Sequence, residues 1–154
     1  MSTASGADLY SSILAGVSLL SGPDGVGICA RVDALLLECE AVGGASRAVS
    51  ARFRRGEEIP GFGDRVLLPR DLAASGAGLL AALRSFQDAD ASLGPLADLV
   101  DFMENSGRGR VRLPVVLVAL ERALALPRGS AEALLILGRI IPWVGLVLRS
   151  RRRR

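Results

Sequence analysis

Apolar side chains recur every three or four residues along almost the whole chain, and glycine- or proline-rich turns interrupt them at intervals. That period matches one face of a helix and not the alternation of a half-buried strand, so it restricts the chain to packed helices. Ile28, Val32, Leu35, Leu36 and Cys39 form one such stripe, ended by Gly43 and Gly44. Aromatic residues make up only 4% of the chain while Leu, Ala and Val are abundant, a balance that suits helix packing better than a β-sandwich. At 154 residues the chain fits one domain, able to bury roughly 68–70% of the surface its unfolded form exposes. The sequence is therefore expected to be all-α, with about seven helices.

The same reading places the helices along the chain. The first is expected from about Asp8 to Leu20, stopped by Ser21, Gly22, Pro23, Asp24 and Gly25. The second carries the stripe from Ile28, and the third spans about Ser46 to Arg55, with Val49 and Phe53 four apart on one face. The run from Gly56 to Asp64 is too rich in Gly and Pro to continue a helix. The period resumes from about Leu72, with Leu79, Leu80, Leu83 and Phe86 on one face. It then returns in Leu96, Leu99, Val100 and Met103, closed by Asn105, Ser106 and Gly107. The segment from Val111 to Leu126 is apolar nearly all round, with Pro114 near its first turn, where a missing N–H costs least. Ser130 is the expected N-cap of the last helix, Ala131 to Leu148, and Glu132 sits where the helix dipole favours an anion.

Two absences narrow the chemistry. The chain contains no lysine and no histidine, so all 19 basic residues are arginine. A GC-rich coding sequence accounts for the arginine bias. Without imidazole there is no histidine base, no Ser-His or Cys-His nucleophile pair and no histidine-ligated metal. Cys29 and Cys39 are ten residues apart, neither a CxxC nor a zinc spacing, and read as small buried thiols of a reducing cytosol. No basic, then apolar, leader opens the sequence, so the expected location is cytoplasmic. No metal and no cofactor are expected.

The positive charge is local. Arg149, Arg151, Arg152, Arg153 and Arg154 lie together at the end, and subtracting those five from the net +3 leaves −2. Residues 149–154 therefore read as a solvated, disordered arginine tail on a domain spanning 1–148. With no second basic patch and no interleaved aromatics, specific nucleic-acid binding is not expected. Ala131 to Leu148 has only Glu132 and Arg139 charged, and with the arginines behind it resembles a membrane anchor. Arg139 in mid-segment costs about 2.5–3.5 kcal/mol on insertion scales, and Gly138 and Pro142 weaken the span further. A core helix is the preferred reading.

At Ile59-Pro-Gly-Phe-Gly-Asp64-Arg65 the chain resembles the P-G-F-G-H-R motif of the citrate synthase family. Leu20-Ser-Gly-Pro-Asp-Gly25-Val-Gly is similar to that family's S-G-P-L-H-G-G turn. Val116 to Pro127 is similar to the helix that follows its N-V-D-F segment, and Leu137-Gly-Arg139-Ile-Ile-Pro-Trp143-Val-Gly resembles its G-R-I-I-G-W-I-A-H. The match runs in the family's order from about Leu14 to Leu148. It implies the helical small domain with its last helix, and the family reaction, condensation of acetyl-CoA with oxaloacetate to citrate and CoA. In that reaction an aspartate takes a proton from the acetyl methyl group, one histidine hydrogen-bonds the developing enolate, and a second polarises the ketone.

Carried over residue by residue, the three roles fall on groups that cannot fill them. The first histidine corresponds to Gly25, the second to Asp64 and the aspartate to Pro114; Arg110 to Leu120 contains no acid to replace it. The arginine of the family's D-P-R segment corresponds to Ala73. Arg139 alone keeps a carboxylate-binding role, with a core ion pair as the competing reading. Arg65 reads as a surface or structural residue and Trp143 as a core aromatic. Each missing acid or base typically costs about 10²–10⁴ in rate. The resemblance thus implies a truncated, catalytically inactive homologue, with acetyl-CoA only as the family's co-substrate. Two alternatives stand beside it: the C-terminal half of a split enzyme completed by a separate N-terminal region, and a membrane protein anchored by 131–148 and the arginine tail. Self-association is the other expected partnership, because the first and last helices would otherwise leave apolar faces uncovered.

Overall fold

The computed structural model describes residues 8–22, 25–63, 78–79, 81–82, 90–107 and 109–152. The protein is all-α: among the described residues six helices run in the order α1 (Leu9–Leu20), α2 (Gly27–Ala41), α3 (Ala45–Arg54), α4 (Asp90–Asn105), α5 (Leu113–Ala123) and α6 (Ser130–Arg152). Among the described residues the β-structure is a single antiparallel bridge between Phe62 and Val111. The further helix expected from Leu72 is described only at 78–79 and 81–82, which are helical. Leu80, Leu83 and Phe86 lie outside the described residues.

Contacts divide the chain into two compact units, residues 28–131 and residues 1–27 with 132–154. In the first, the α2 stripe is buried as its spacing requires, with Val32 and Leu35 at 0% exposure and Leu36 at 1%. Fully burying side chains of this size contributes about 1.5–3 kcal/mol each. Both cysteines are free thiols buried on the same helix. Helix α3 packs on α4, and α4 packs on α5. Their facing surfaces are the expected ones: Ala48 and Val49 from α3, Leu96, Leu99, Val100 and Met103 from α4, Val115, Val116 and Val118 from α5, all buried. Phe53 is the exception, since it stays 37% exposed while Val49 on the same face is sealed.

Three element ends differ from the sequence reading, each for a local reason. Helix α5 starts at Leu113 and not at Val111, because the Val111 backbone is drawn into the bridge with Phe62. It closes with Leu124 as C-cap, and Ala125 then turns the chain at a φ of +47°. Ser130 does not cap α6 through its side chain: its hydroxyl donates to the Pro127 carbonyl at 2.7 Å. Glu121 supplies the acceptor in its place, taking the Ala131 N–H at 2.6 Å. The last helix runs on past Leu148 to Arg152, since no glycine or proline stops it and arginine is a good helix former.

In the second unit, Asp8 caps α1 by accepting the Ser11 N–H at 2.8 Å. The Trp143 ring of α6 lies against Gly16 of α1, so close that a Cβ there would sit 2.8 Å from the ring. Few residues of α6 are buried as the core-helix reading expects. Ala131, Leu135 and Val147 are buried, whereas Leu137, Ile141 and Leu146 are 59%, 76% and 66% exposed. By length and composition alone, α6 is the one described helix able to cross a membrane.

Candidate functional site

The turn that leads into α2 carries the first of the positions implied by the resemblance. The Gly25 N–H donates to the Gly22 carbonyl at 3.0 Å, and the Val26 N–H reaches back to the Leu20 carbonyl at 2.8 Å. This double closure brings Leu20 onto the spot a side chain would need. A Cβ at Gly25 would lie 2.6 Å from the Leu20 carbonyl carbon and 2.9 Å from its Cα, and would overlap the carbonyl oxygen. Neither atom belongs to a flexible side chain that can swing away. The position therefore lacks both a functional group and the room for one.

The segments that lead up to the second and third positions meet. The Phe62–Val111 bridge is reinforced by the Arg112 N–H, which donates to the Gly61 carbonyl at 3.0 Å. Beside it, Gly109 adopts a φ of +134° and presses on Gly63, where a Cβ would come within 2.6 Å of the Gly63 nitrogen. At the other end of the loop, Gly61 has a φ of +82° and its Cα faces Val32 of α2 and Val115 of α5. A helix, a loop and a second helix thus converge on a glycine because nothing larger fits. The loop that precedes Asp64 and the segment that precedes Pro114 are in this way held side by side. Asp64 itself lies outside the described residues, as do Arg65 and Ala73.

Pro114 is buried in the first turn of α5, and its ring removes a donor without adding any group that could move a proton. The whole buried face after it, Val115 to Ala119, is apolar. Arg139 lies midway along α6 and is half-buried. Trp143, one turn further on, is half-buried against Gly16, as a core aromatic would be. Among the described residues no group of three His, Cys, Asp or Glu side chains gathers as a metal site would require.

Several ion pairs tie helices together. Arg122 of α5 donates through Nε to Asp33 of α2 at 2.9 Å and through a terminal nitrogen to Glu40 at 2.7 Å. Arg128 adds a longer contact to Asp33 at 3.4 Å. Burial pulls the Arg122 pKa down, but the hydrogen bonds to Asp33 and Glu40 outweigh it and hold the guanidinium above the usual arginine range. A second tie joins Arg52 of α3 to Glu38 of α2 at 2.6 Å. Sequence reasoning missed both ties and the capping role of Glu121, because no local spacing links a side chain to a partner on another helix. The Gly109 approach did leave a trace, a glycine between two arginines.

Comparison with known proteins supports this reading of the fold. The family model described as citrate synthase, C-terminal domain, matches residues 1–153. Among solved structures, ATP citrate lyase from Methanothrix soehngenii in complex with citrate and coenzyme A has a TM-score of 0.75 at 19% identity. The match covers 98% of this chain and 27% of that one. The Methanosaeta concilii ATP citrate lyase (D541A mutant) in complex with (3S)-citryl-CoA has a TM-score of 0.70 at 18% identity, with the same coverage. The chain thus spans about a quarter of the length of these solved relatives, and at this identity the likeness is one of fold. No curated protein matches the sequence. Matched over residues 1–153, the chain belongs to the citrate synthase family through its C-terminal domain.

Proposed function

We propose that this chain keeps the small-domain scaffold of citrate synthase without its proton-transfer groups, and that it does not by itself condense acetyl-CoA with oxaloacetate. The observation that carries the reading is the turn at Gly25, where the Leu20 carbonyl occupies the place a donor side chain would leave from. Deprotonating an acetyl methyl group builds charge on the thioester oxygen, and catalysis requires a donor fixed at that point. Here there is bare backbone.

The two other positions add to the deficit. Asp64 stands where a histidine would polarise the ketone, and an ionised carboxylate accepts hydrogen bonds but donates none. It repels a dicarboxylate where the family attracts one. Pro114 has no proton to give or take. A separately encoded N-terminal half would not repair these losses, because the three positions lie on this chain's own loops and helix. The related lyases were solved with citrate and coenzyme A and with (3S)-citryl-CoA. Ligands of that class are the ones to offer this scaffold, and Arg139 is the side chain that would hold a carboxylate. The buried thiols of Cys29 and Cys39 suit a reducing cytosol.

The test is release of free CoA thiol from acetyl-CoA and oxaloacetate by the purified chain, with thermal shifts in citrate, oxaloacetate and CoA measured alongside. Any ligand that binds the native state alone raises the melting temperature. The expected result is no thiol release above background and at most a small shift with dicarboxylates. Turnover that disappears in Arg139→Ala would overturn the reading.

A further inference from the structure

We infer that α6 lies along the surface of an anionic membrane, with its exposed face set into the acyl boundary and the arginines that follow it on lipid headgroups. No residue exposed between Ala133 and Leu148 is polar. Leu134, Leu137, Ile141 and Leu148 are 39%, 59%, 76% and 48% exposed. At 3.6 residues per turn these four fall within about 60° of one another, a single apolar stripe. A helix facing water normally carries its charges on that side. Within the apolar span Ser130–Ser150 only 17% is buried, where a core helix of that hydropathy would be sealed. Helix α1, in the same unit, has no charged side chain across its 12 residues, and its Tyr10, Leu14 and Leu19 are 83%, 67% and 85% exposed.

Charge selects the occupant. Arg149, Arg151, Arg152, Arg153 and Arg154 follow the stripe directly. The one acid of α6 is Glu132, so a second α6 laid on this face would offer a single carboxylate to five guanidiniums. Anionic headgroups can meet all five, and each arginine at such a surface raises affinity about fivefold. The helix geometry favours lying on the bilayer over crossing it. Arg139 and Trp143 are each two residues from Ile141, which sets them about 160° round the helix from it. Trp143 faces Gly16 of α1, and Arg139 is half-buried. A helix laid on the surface buries the stripe in lipid and keeps Arg139 on the protein side, as interfacial helices do. A span would surround Arg139 with hydrocarbon and strip α1 from Trp143. Membrane attachment is independent of the catalytic reading, because vesicle binding requires no turnover.

The full chain is expected to float with vesicles of phosphatidylcholine and phosphatidylglycerol, to bind phosphatidylcholine alone far more weakly, and to be released by molar salt. Ile141→Glu, at an exposed position in the middle of the stripe, is expected to weaken binding about tenfold or more. Arg151→Gln with Arg152→Gln leaves the stripe intact and keeps the test open if the first variant fails to fold; the expected loss is about 25-fold, fivefold for each arginine. The buried side of the helix is read by fluorescence, since Trp143 is the chain's single tryptophan. Lipids brominated in the acyl chain should quench Trp143 little, and should quench strongly a Trp143→Phe chain carrying Ile141→Trp. A chain that leaves the anionic vesicles unbound would overturn the inference, as would self-association in place of vesicle binding. So would binding indifferent to both sets of changes, Trp143 quenched as strongly as the Ile141→Trp reporter, or attachment that resists both salt and alkaline carbonate, the mark of a spanning helix.

Discussion

Arg122 and Asp33 are 89 residues apart in sequence and meet at 2.8 Å, tying α5 to α2 across the larger unit. Each side chain is 25% exposed, and the same guanidinium also takes Glu40 at 2.7 Å. Such a tie lies between the surface pair, worth about 0–1 kcal/mol, and the buried charged hydrogen bond, worth about 1.5–3 kcal/mol. Arg122→Ala is therefore expected to lower stability by about 1–2 kcal/mol in urea denaturation, with helix content unchanged. An unaltered midpoint would show that the network only decorates a packing already fixed by the apolar residues.

The turn at Gly25 gives a second expectation. Because a Cβ would meet the Leu20 backbone, Gly25→Ala must open the turn or displace α1, and overpacking of this kind costs about 1–3 kcal/mol. Gly25→His restores the residue type of the family motif but meets the same obstruction. It is expected to destabilise the chain and to leave CoA release at background. A stable Gly25→His protein would mean that the turn relaxes freely and that its closure is not what bars a donor.

How far the fold was legible depends on whether a signal is local. The α2 stripe and the Leu96 to Met103 stripe are buried as their spacing requires, since burial on a helix face is written in the period itself. The start of α5 was not legible: Val111 looks like the first residue of an apolar helix until it is paired with Phe62, a partner 49 positions away. The extent of α6 was hidden differently, because an arginine run reads as a solvated tail and is also a sound helix former. At the site, the resemblance set Gly25 and Pro114 at two family positions. It did not show that Leu20 has closed on the first of them, which depends on two hydrogen bonds across the turn.

Cys39 supplies a pH dependence. Burial raises its thiol pKa, the neighbouring Glu38 charge raises it further, and Arg52 opposes them. A thiol held neutral in the fold contributes fully below its unfolded pKa, about 8.5, and that contribution is lost as pH rises through the higher folded value. Wild-type stability should thus fall between neutral pH and mildly alkaline pH by more than that of Cys39→Val. In a Cys29→Ala background, iodoacetamide should modify Cys39 only after unfolding, because the thiolate is the nucleophile. Native-state alkylation at the rate of a free thiol would contradict the burial.

Gly61 and Gly56 form a matched pair that separates backbone strain from packing. Both adopt positive φ, +82° and +72°, so either alanine variant incurs the left-handed penalty, about 1–2 kcal/mol. They differ in surroundings. A Cβ at Gly56 meets nothing within 4 Å, whereas one at Gly61 would overlap Val115 and lie 2.8 Å from Val32. Those valines belong to α5 and α2 and are both fully buried, so neither has space to yield. Gly61→Ala is accordingly expected to lose about 1–3 kcal/mol more than Gly56→Ala. The excess should shrink in a Val115→Ala background, where the methyl groups that block the Cβ are gone, although that chain starts from lower stability. Equal losses in the two glycine variants would mean that the loop does not press on the α2 and α5 valines, and the convergence that holds the Gly61–Gly63 loop beside the segment leading to Pro114 would lose its support.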